Sequence, residues 1–162
     1  MGKESSTPDS PDVYIRKGAL RAILKQSRNA APKETIGFMV GHVRRCNEKA
    51  CAVVEKAMTS DDDSTETSAK FKIESLGKIA AGIGDREIIV GWYHSHPGYG
   101  CFMSDRDIKT QTESFPEEYH TALVVDPVEN KIAFYRVQGG RCREVSYKGY
   151  GDESCRDGRR QV

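Results

Sequence analysis

Apolar residues recur with two different periods in this chain. Between Lys17 and Ala30 they fall at Leu20, Ile23 and Leu24, Ser27 continues the stripe, and Pro32 follows. That 3.6-residue period, closed by a proline, predicts a helix over 17–30. Ile36–Val43 (IGFMVGHV) is short and almost continuously apolar, as in a strand covered on both faces. Cys51–Met58 (CAVVEKAM) predicts a second strand, with Val53 and Val54 favouring extended backbone. Thr59–Ser68 (TSDDDSTETS) is the most polar interior stretch and predicts a loop. Helical spacing returns at Ile73, Leu76, Ala80 and Ile83, predicting a second helix over 69–83 that Gly84-Asp85 ends. Glu87–His96 (EIIVGWYHSH) reads as a strand broken by Pro97-Gly98, and a third helix opens at Ser104 and runs to about Phe115. Three more strands, over 121–126, 131–137 and 143–147, are separated by turn residues at Asp126-Pro127 and Gly139-Gly140.

This order of helix, hairpin, helix, strand, helix and meander predicts an α/β fold, a mixed sheet with about three helices packed on it. Residues 13–148 are expected to form one domain, with Met1–Asp12 and Gly149–Val162 as polar tails. A length of 162 residues agrees with a single domain. The 25 basic and 24 acidic side chains leave a net charge of +1, no general field for phosphates, so no nucleic-acid partner is expected. No apolar run approaches the roughly 20 residues that cross a bilayer, so no membrane association is expected. The polar start has no signal-peptide core, and a cytoplasmic location follows as the expectation. The five cysteines lack any Cys-x-x-Cys pair, which argues against a ribbon-type zinc site and a thioredoxin-like site. Reduced thiols are expected, and a Cys46–Cys51 cross-strand bridge is the one alternative that their positions leave open.

Residues with chemistry concentrate in Gly91–Asp107, GWYHSHPGYGCFMSDRD. His94 and His96 are two apart on a predicted strand, so both leave the same face of the sheet and can grip one metal ion. Pro97 stops the strand there, which puts both rings at a strand end. Turn and loop then return the chain to Asp107 in the first turn of the next helix. Two imidazoles, one carboxylate and an open fourth position are common at catalytic zinc. Ser104 and Asp107 also form an ordinary capping box, and the two roles are compatible because the serine hydroxyl can still point outward. Glu34 directly precedes the apolar strand and is expected at the rim of the core, where desolvation raises a carboxyl towards a usable base.

Taken together, Glu34, His94-Ser95-His96-Pro97, Ser104 and Asp107 resemble the motif of the JAMM (MPN+) zinc metalloproteases. That motif is an upstream glutamate, His-Ser/Thr-His, seven residues, Ser, two residues, Asp; here Pro97–Met103 supplies the seven and Asp105-Arg106 the two. GWYHSHPGYGC is most similar to the proteasome-lid deubiquitinase and signalosome deneddylase branch, and the resemblance spans about Val13–Tyr147. It implies one MPN-type domain with a mixed, curved sheet, and one Zn²⁺ held by His94, His96 and Asp107. It also implies Glu34 as general base and Ser104 as donor to the oxyanion. The implied substrate is the isopeptide bond between a ubiquitin-like C-terminal glycine and a lysine. The implied partners are ubiquitin or ubiquitin-like conjugates, with the proteasome as a candidate. Asp61, Asp62, Asp63 and Glu66 stand where the family has its first insertion and are expected to attract the arginines of such a tail.

The chain also departs from that branch. Phe102-Met103 stands where the lid enzyme has Trp-Leu, and Asp105-Arg106 replaces small residues. No long helical extension follows the core, so the expectation is a compact, archaeal-type relative that works outside a lid or docks differently. Two other functions stay open: a catalytically silent scaffold of the same fold, and a JAMM hydrolase for another amide such as a sulfur-carrier fusion. A zinc nucleobase deaminase is excluded, because His-x-Glu and Pro-Cys-x-x-Cys are both missing. Cys101 is expected to be a loop-supporting thiol rather than a nucleophile.

Overall fold

A computed structural model describes residues 10–59 and 81–151. Strand β1 (Val13–Arg16) leads directly into helix α1 (Lys17–Ala30), and β2 (Ile36–Cys46) and β3 (Lys49–Thr59) form a long hairpin. The second described segment carries β4 (Ile88–Ser95), α2 (Asp105–Ser114), β5 (Thr121–Asp126), β6 (Lys131–Gln138), β7 (Arg141–Val145) and β8 (Tyr147–Tyr150). All eight strands form one sheet in the order β7-β6-β5-β4-β2-β3-β1-β8. The sheet is mixed: β1 runs parallel to β3 and β8, β4 runs parallel to β5, and the other neighbours are antiparallel. The predicted helix over 69–83 falls almost entirely outside the described residues.

Each face of the sheet has its own core. Ala19 and Ile23 of α1 pack on Met39, Val54, Tyr93, Leu123 and Phe134. On the opposite face Phe38, Trp92 and Ala122 meet Phe115 at the end of α2, with Ile83 and Met103 against them. Alternation along β4 follows from this: Trp92 and His94 project to the α2 side, whereas Tyr93 projects to α1. The central strand β2 shifts register twice, between Met39 and Val40 against β4 and between Val40 and Gly41 against β3. Such bulges bend a strand and add twist, which curves the sheet.

The hairpin strands outrun the apolar stretches that predicted them, because Arg44, Arg45 and Cys46 continue the ladder opposite Cys51, Ala50 and Lys49. Asn47 and Glu48 close it with φ of 48° and 67°, the left-handed pair that suits a two-residue turn. Cys46 and Cys51 are free thiols. Burial and a hydrogen bond with Cys46 push the Cys51 thiol up to about 11, which keeps it protonated.

Both predicted tails contribute to the fold at their inner ends. β8 runs to Tyr150, beyond the boundary read at 148. Asp12 is buried, and its carboxylate accepts from the Ser146 N–H at 3.3 Å and the Ser146 hydroxyl at 3.2 Å. Lys49 Nζ lies 3.4 Å and Arg136 Nη1 3.7 Å from the other oxygen. Arg136, only 3% exposed, also donates to the main-chain carbonyls of Ala50 and Asp12. Polar residues next to a terminus read as solvated; here a buried guanidinium recruits one of them as its counter-ion.

Candidate metal centre

The two histidines occupy the end of β4 nearest α2. His94 is paired with Ile36 of β2 and Val124 of β5, and the His96 N–H donates to the Val125 carbonyl at 2.8 Å, continuing the pairing past the strand. The Trp92 ring stacks on that of His94 at 4.5 Å and 17°. Trp92 is itself fixed: its indole N–H donates to Gln111 Oε1, whose amide donates to the His120 carbonyl at 3.1 Å. Phe102 covers His96 with ring centroids 4.8 Å apart.

Asp107 comes from the first turn of α2. Ser104 caps that helix: its hydroxyl oxygen accepts from the Asp107 N–H at 3.1 Å, and Asp107 Oδ2 accepts from the Ser104 N–H at 2.9 Å. That same Oδ2 lies 3.1 Å from His94 Nε2 and 3.4 Å from His96 Nε2. The capping box therefore orients the carboxylate towards the imidazoles.

None of the three side chains is more than 10% exposed, and their ligand atoms lie within 4.8 Å of one another. Among the described residues this is the one His/Cys/Asp/Glu cluster compact enough for a metal ion. Burial alone would raise the Asp107 carboxyl, but hydrogen bonds from His94 and His96 outweigh it and hold the group well below the usual carboxylate range. Burial alone would lower His96, and the Asp107 hydrogen bond and charge, helped by Glu34, raise it instead.

The donors suit a cation. Two imidazole nitrogens and one carboxylate oxygen, converging in a nearly dry site, match the protein ligands of catalytic zinc. Both Nδ1 atoms are buried and neither has a hydrogen-bond partner of ordinary geometry, although the Gly100 backbone lies near enough to His96 to favour its charged form. Packing against Trp92 and Phe102 does for these rings what an outer hydrogen bond does in most metal sites.

Glu34 corrects one expectation: the side chain is exposed, not tucked into the core rim. Its backbone is nevertheless well placed. The next residue, Thr35, donates its N–H to Ser95 Oγ at 2.8 Å and its hydroxyl to the same atom at 3.0 Å, and accepts the Ser95 N–H at 3.0 Å. Glu34 is thus pinned beside the strand end that carries both histidines, and its charge reaches His96. Asp61, Asp62, Asp63 and Glu66 lie outside the described residues.

Sequence reasoning missed four residues around this cluster: Thr35, Trp92, Ser95 and Gln111. Period-two alternation does place Trp92 on the histidines' face. The hydrogen bonds of the others join residues distant in sequence, which periodicity does not report.

The mixed sheet, with a His-His-Asp cluster at the end of a central strand, has the architecture of a single MPN domain. A profile described as JAB1/Mov34/MPN/PAD-1 ubiquitin protease matches residues 9–115, well over half of the chain, and the chain belongs to this family. It is 33% identical over 133 residues to the 26S proteasome regulatory subunit rpn11 of Schizosaccharomyces pombe, covering 80% of this chain and 43% of that protein. Against COP9 signalosome complex subunit 5 of Eremothecium gossypii it is 34% identical over 132 residues, covering 75% of this chain and 30% of that one. The chain therefore spans less than half the length of these curated relatives. The crystal structure of AF2198, a JAB1/MPN domain protein from Archaeoglobus fulgidus, superposes with a TM-score of 0.57 at 19% identity, over 85% of this chain and 99% of that one. At that identity the likeness concerns the fold. No helix among the described residues is long and apolar enough to cross a membrane.

Proposed function

We propose that the chain is a zinc-dependent isopeptidase that removes ubiquitin or a ubiquitin-like modifier by hydrolysing the bond between its C-terminal glycine and a lysine. The convergence of His94, His96 and Asp107 carries this reading, and the charge of Glu34 acting on His96 supports it. Those three residues would hold the ion, which when bound supplies Lewis acidity that polarises a carbonyl and brings the pKa of water from about 15.7 towards about 7.

Glu34 takes a proton from the attacking water and delivers it to the departing lysine amine, a role typically worth about 10²–10⁴-fold. Its exposure keeps the carboxylate accessible to both. Ser104 stabilises the oxyanion: the Asp107 N–H occupies its oxygen as acceptor, which leaves the hydroxyl hydrogen free to donate outward. The family description names a ubiquitin protease, and the two relatives are proteasome and signalosome subunits, which supports a conjugate as substrate and a place in such an assembly. Asp61, Asp62, Asp63 and Glu66 are proposed to hold a basic modifier tail, and the cytoplasm is the proposed location.

The test is cleavage of ubiquitin and ubiquitin-like conjugates by purified protein of measured zinc content, with and without chelator. Chelation should stop cleavage and added zinc should restore it, while Glu34→Gln should bind zinc normally and cleave about 10²–10⁴-fold more slowly. Full activity in Glu34→Gln, or purified protein unable to bind zinc, would rule the proposal out.

A further inference from the structure

Pro97–Met103, the span between His96 and Ser104, is neither helix nor strand. It connects the second imidazole to the helix bearing Asp107. Its anchor is Asp126, the last residue of β5, whose side chain is fully buried. Asp126 Oδ2 accepts from the Gly100 N–H at 2.8 Å. Oδ1 accepts from the Gly98 N–H at 2.9 Å and from the N–H groups of Val128 and Glu129 at 3.0 and 3.1 Å. Gly98 and Gly100 have φ of 79° and 85°, a left-handed backbone that glycine reaches without strain. A second tie comes from β6, where the Tyr135 hydroxyl donates to the Cys101 carbonyl at 2.6 Å. The span then supplies Phe102, the ring that covers His96.

We propose that Asp126 is a positioning residue for the metal centre: by gathering the N–H groups of Gly98 and Gly100, its carboxylate fixes the His96–Ser104 span and so the placement of His96 against Asp107. The inference rests on the zinc-centre reading above. Two of the four hydrogen bonds, those from Val128 and Glu129, shape the β5–β6 turn and would be made by an aspartate with a purely structural role. The other two reach across 26 and 28 residues to the span that joins the proposed ligands. Burial works against the charge on Asp126, but the converging N–H groups outweigh it and hold the carboxyl at about 2, so the carboxylate is ionised at neutral pH.

Asp126→Asn isolates the Gly100 tie from the turn. With the amide oxygen kept at the Oδ1 position, the turn and Gly98 retain their acceptor while an NH₂ group faces the Gly100 N–H. Tyr135→Phe loosens the same span without touching the carboxylate, and provides the readout where Asp126→Asn does not fold. In the full chain, zinc affinity is measured by competition with a chromophoric chelator, amide exchange at Gly98 and Gly100 by NMR, and conjugate cleavage as kcat and KM separately. Asp126→Asn is expected to lower zinc affinity by about tenfold or more, the range typical of outer-shell changes at metal sites. It should also speed exchange at Gly100 and lower kcat with little change in KM; Tyr135→Phe should shift all three the same way, by less. A folded variant with lowered thermal stability but wild-type zinc affinity and kcat overturns the inference and leaves Asp126 a structural residue. Wild-type protein that binds no zinc overturns the function proposed above, an outcome the same titration distinguishes.

Discussion

Three nitrogens converge on Asp107 Oδ2: the donating Ser104 N–H at 2.9 Å, His94 Nε2 at 3.1 Å and His96 Nε2 at 3.4 Å. One oxygen therefore serves both the helix start and the candidate centre, and the two functions can be separated by substitution at Ser104. Removing its hydroxyl as Ser104→Ala should cost about 1 kcal/mol of stability, because the N-cap is lost. Ser104→Gly, a tolerable cap, should cost only a few tenths. Both should lower kcat by about 10²–10³-fold, the typical loss of one oxyanion donor. Thermal unfolding and single-turnover cleavage measured on the same samples check the two parts, and a kcat that follows stability would remove Ser104 from the chemistry. Asp107→Asn should weaken zinc affinity by more than the roughly 10–100-fold typical of outer-shell changes, read by chelator competition.

The elements were readable from the sequence where burial imposed a period. β5 is apolar from Ala122 to Val125, buried throughout, and matched its predicted limits; α2 matched because Ser104 and Asp107 announce its start. β1 and β8 escaped notice because each is four residues long, too short for alternation to register, and β8 is polar as well. The His94, His96 and Asp107 cluster was readable as a candidate because its spacing is local, whereas the supports beneath it were not. Gln111 is the clearest example, a buried amide on α2 that looks like a solvated helix position yet joins Trp92 to His120. Gln111→Leu should leave the indole N–H buried without an acceptor at a cost of about 1–3 kcal/mol. A urea midpoint unchanged from wild type would show that Trp92 finds another partner.

Across the molecule, the contact between Asp12 and Arg136 ties the start of the domain to β3, β6 and the β7–β8 junction. Burial raises the Asp12 carboxyl, but the Ser146 N–H and the charges of Lys49 and Arg136 prevail and lower it below its ordinary 3.8. A carboxyl lowered in the folded state adds stability that is fully present above its unfolded pKa and fades as pH falls through the folded value. Wild-type protein should therefore lose more stability than Asp12→Asn when urea unfolding is compared at pH 5 and pH 3. At pH 7 the variant should be weaker by about 3 kcal/mol, the low end for stranding one partner of a buried pair. The cap that Asp107 shares with the imidazoles also joins two kinds of loss. With the proposed ion removed, this corner rests on the Asp107 contacts, the Trp92 and Phe102 rings and the Asp126 ties alone, so chelated protein should be cut faster by a protease between His96 and Ser104 than zinc-loaded protein. Cleavage there would separate the motif serine from the histidines while the sheet stands intact.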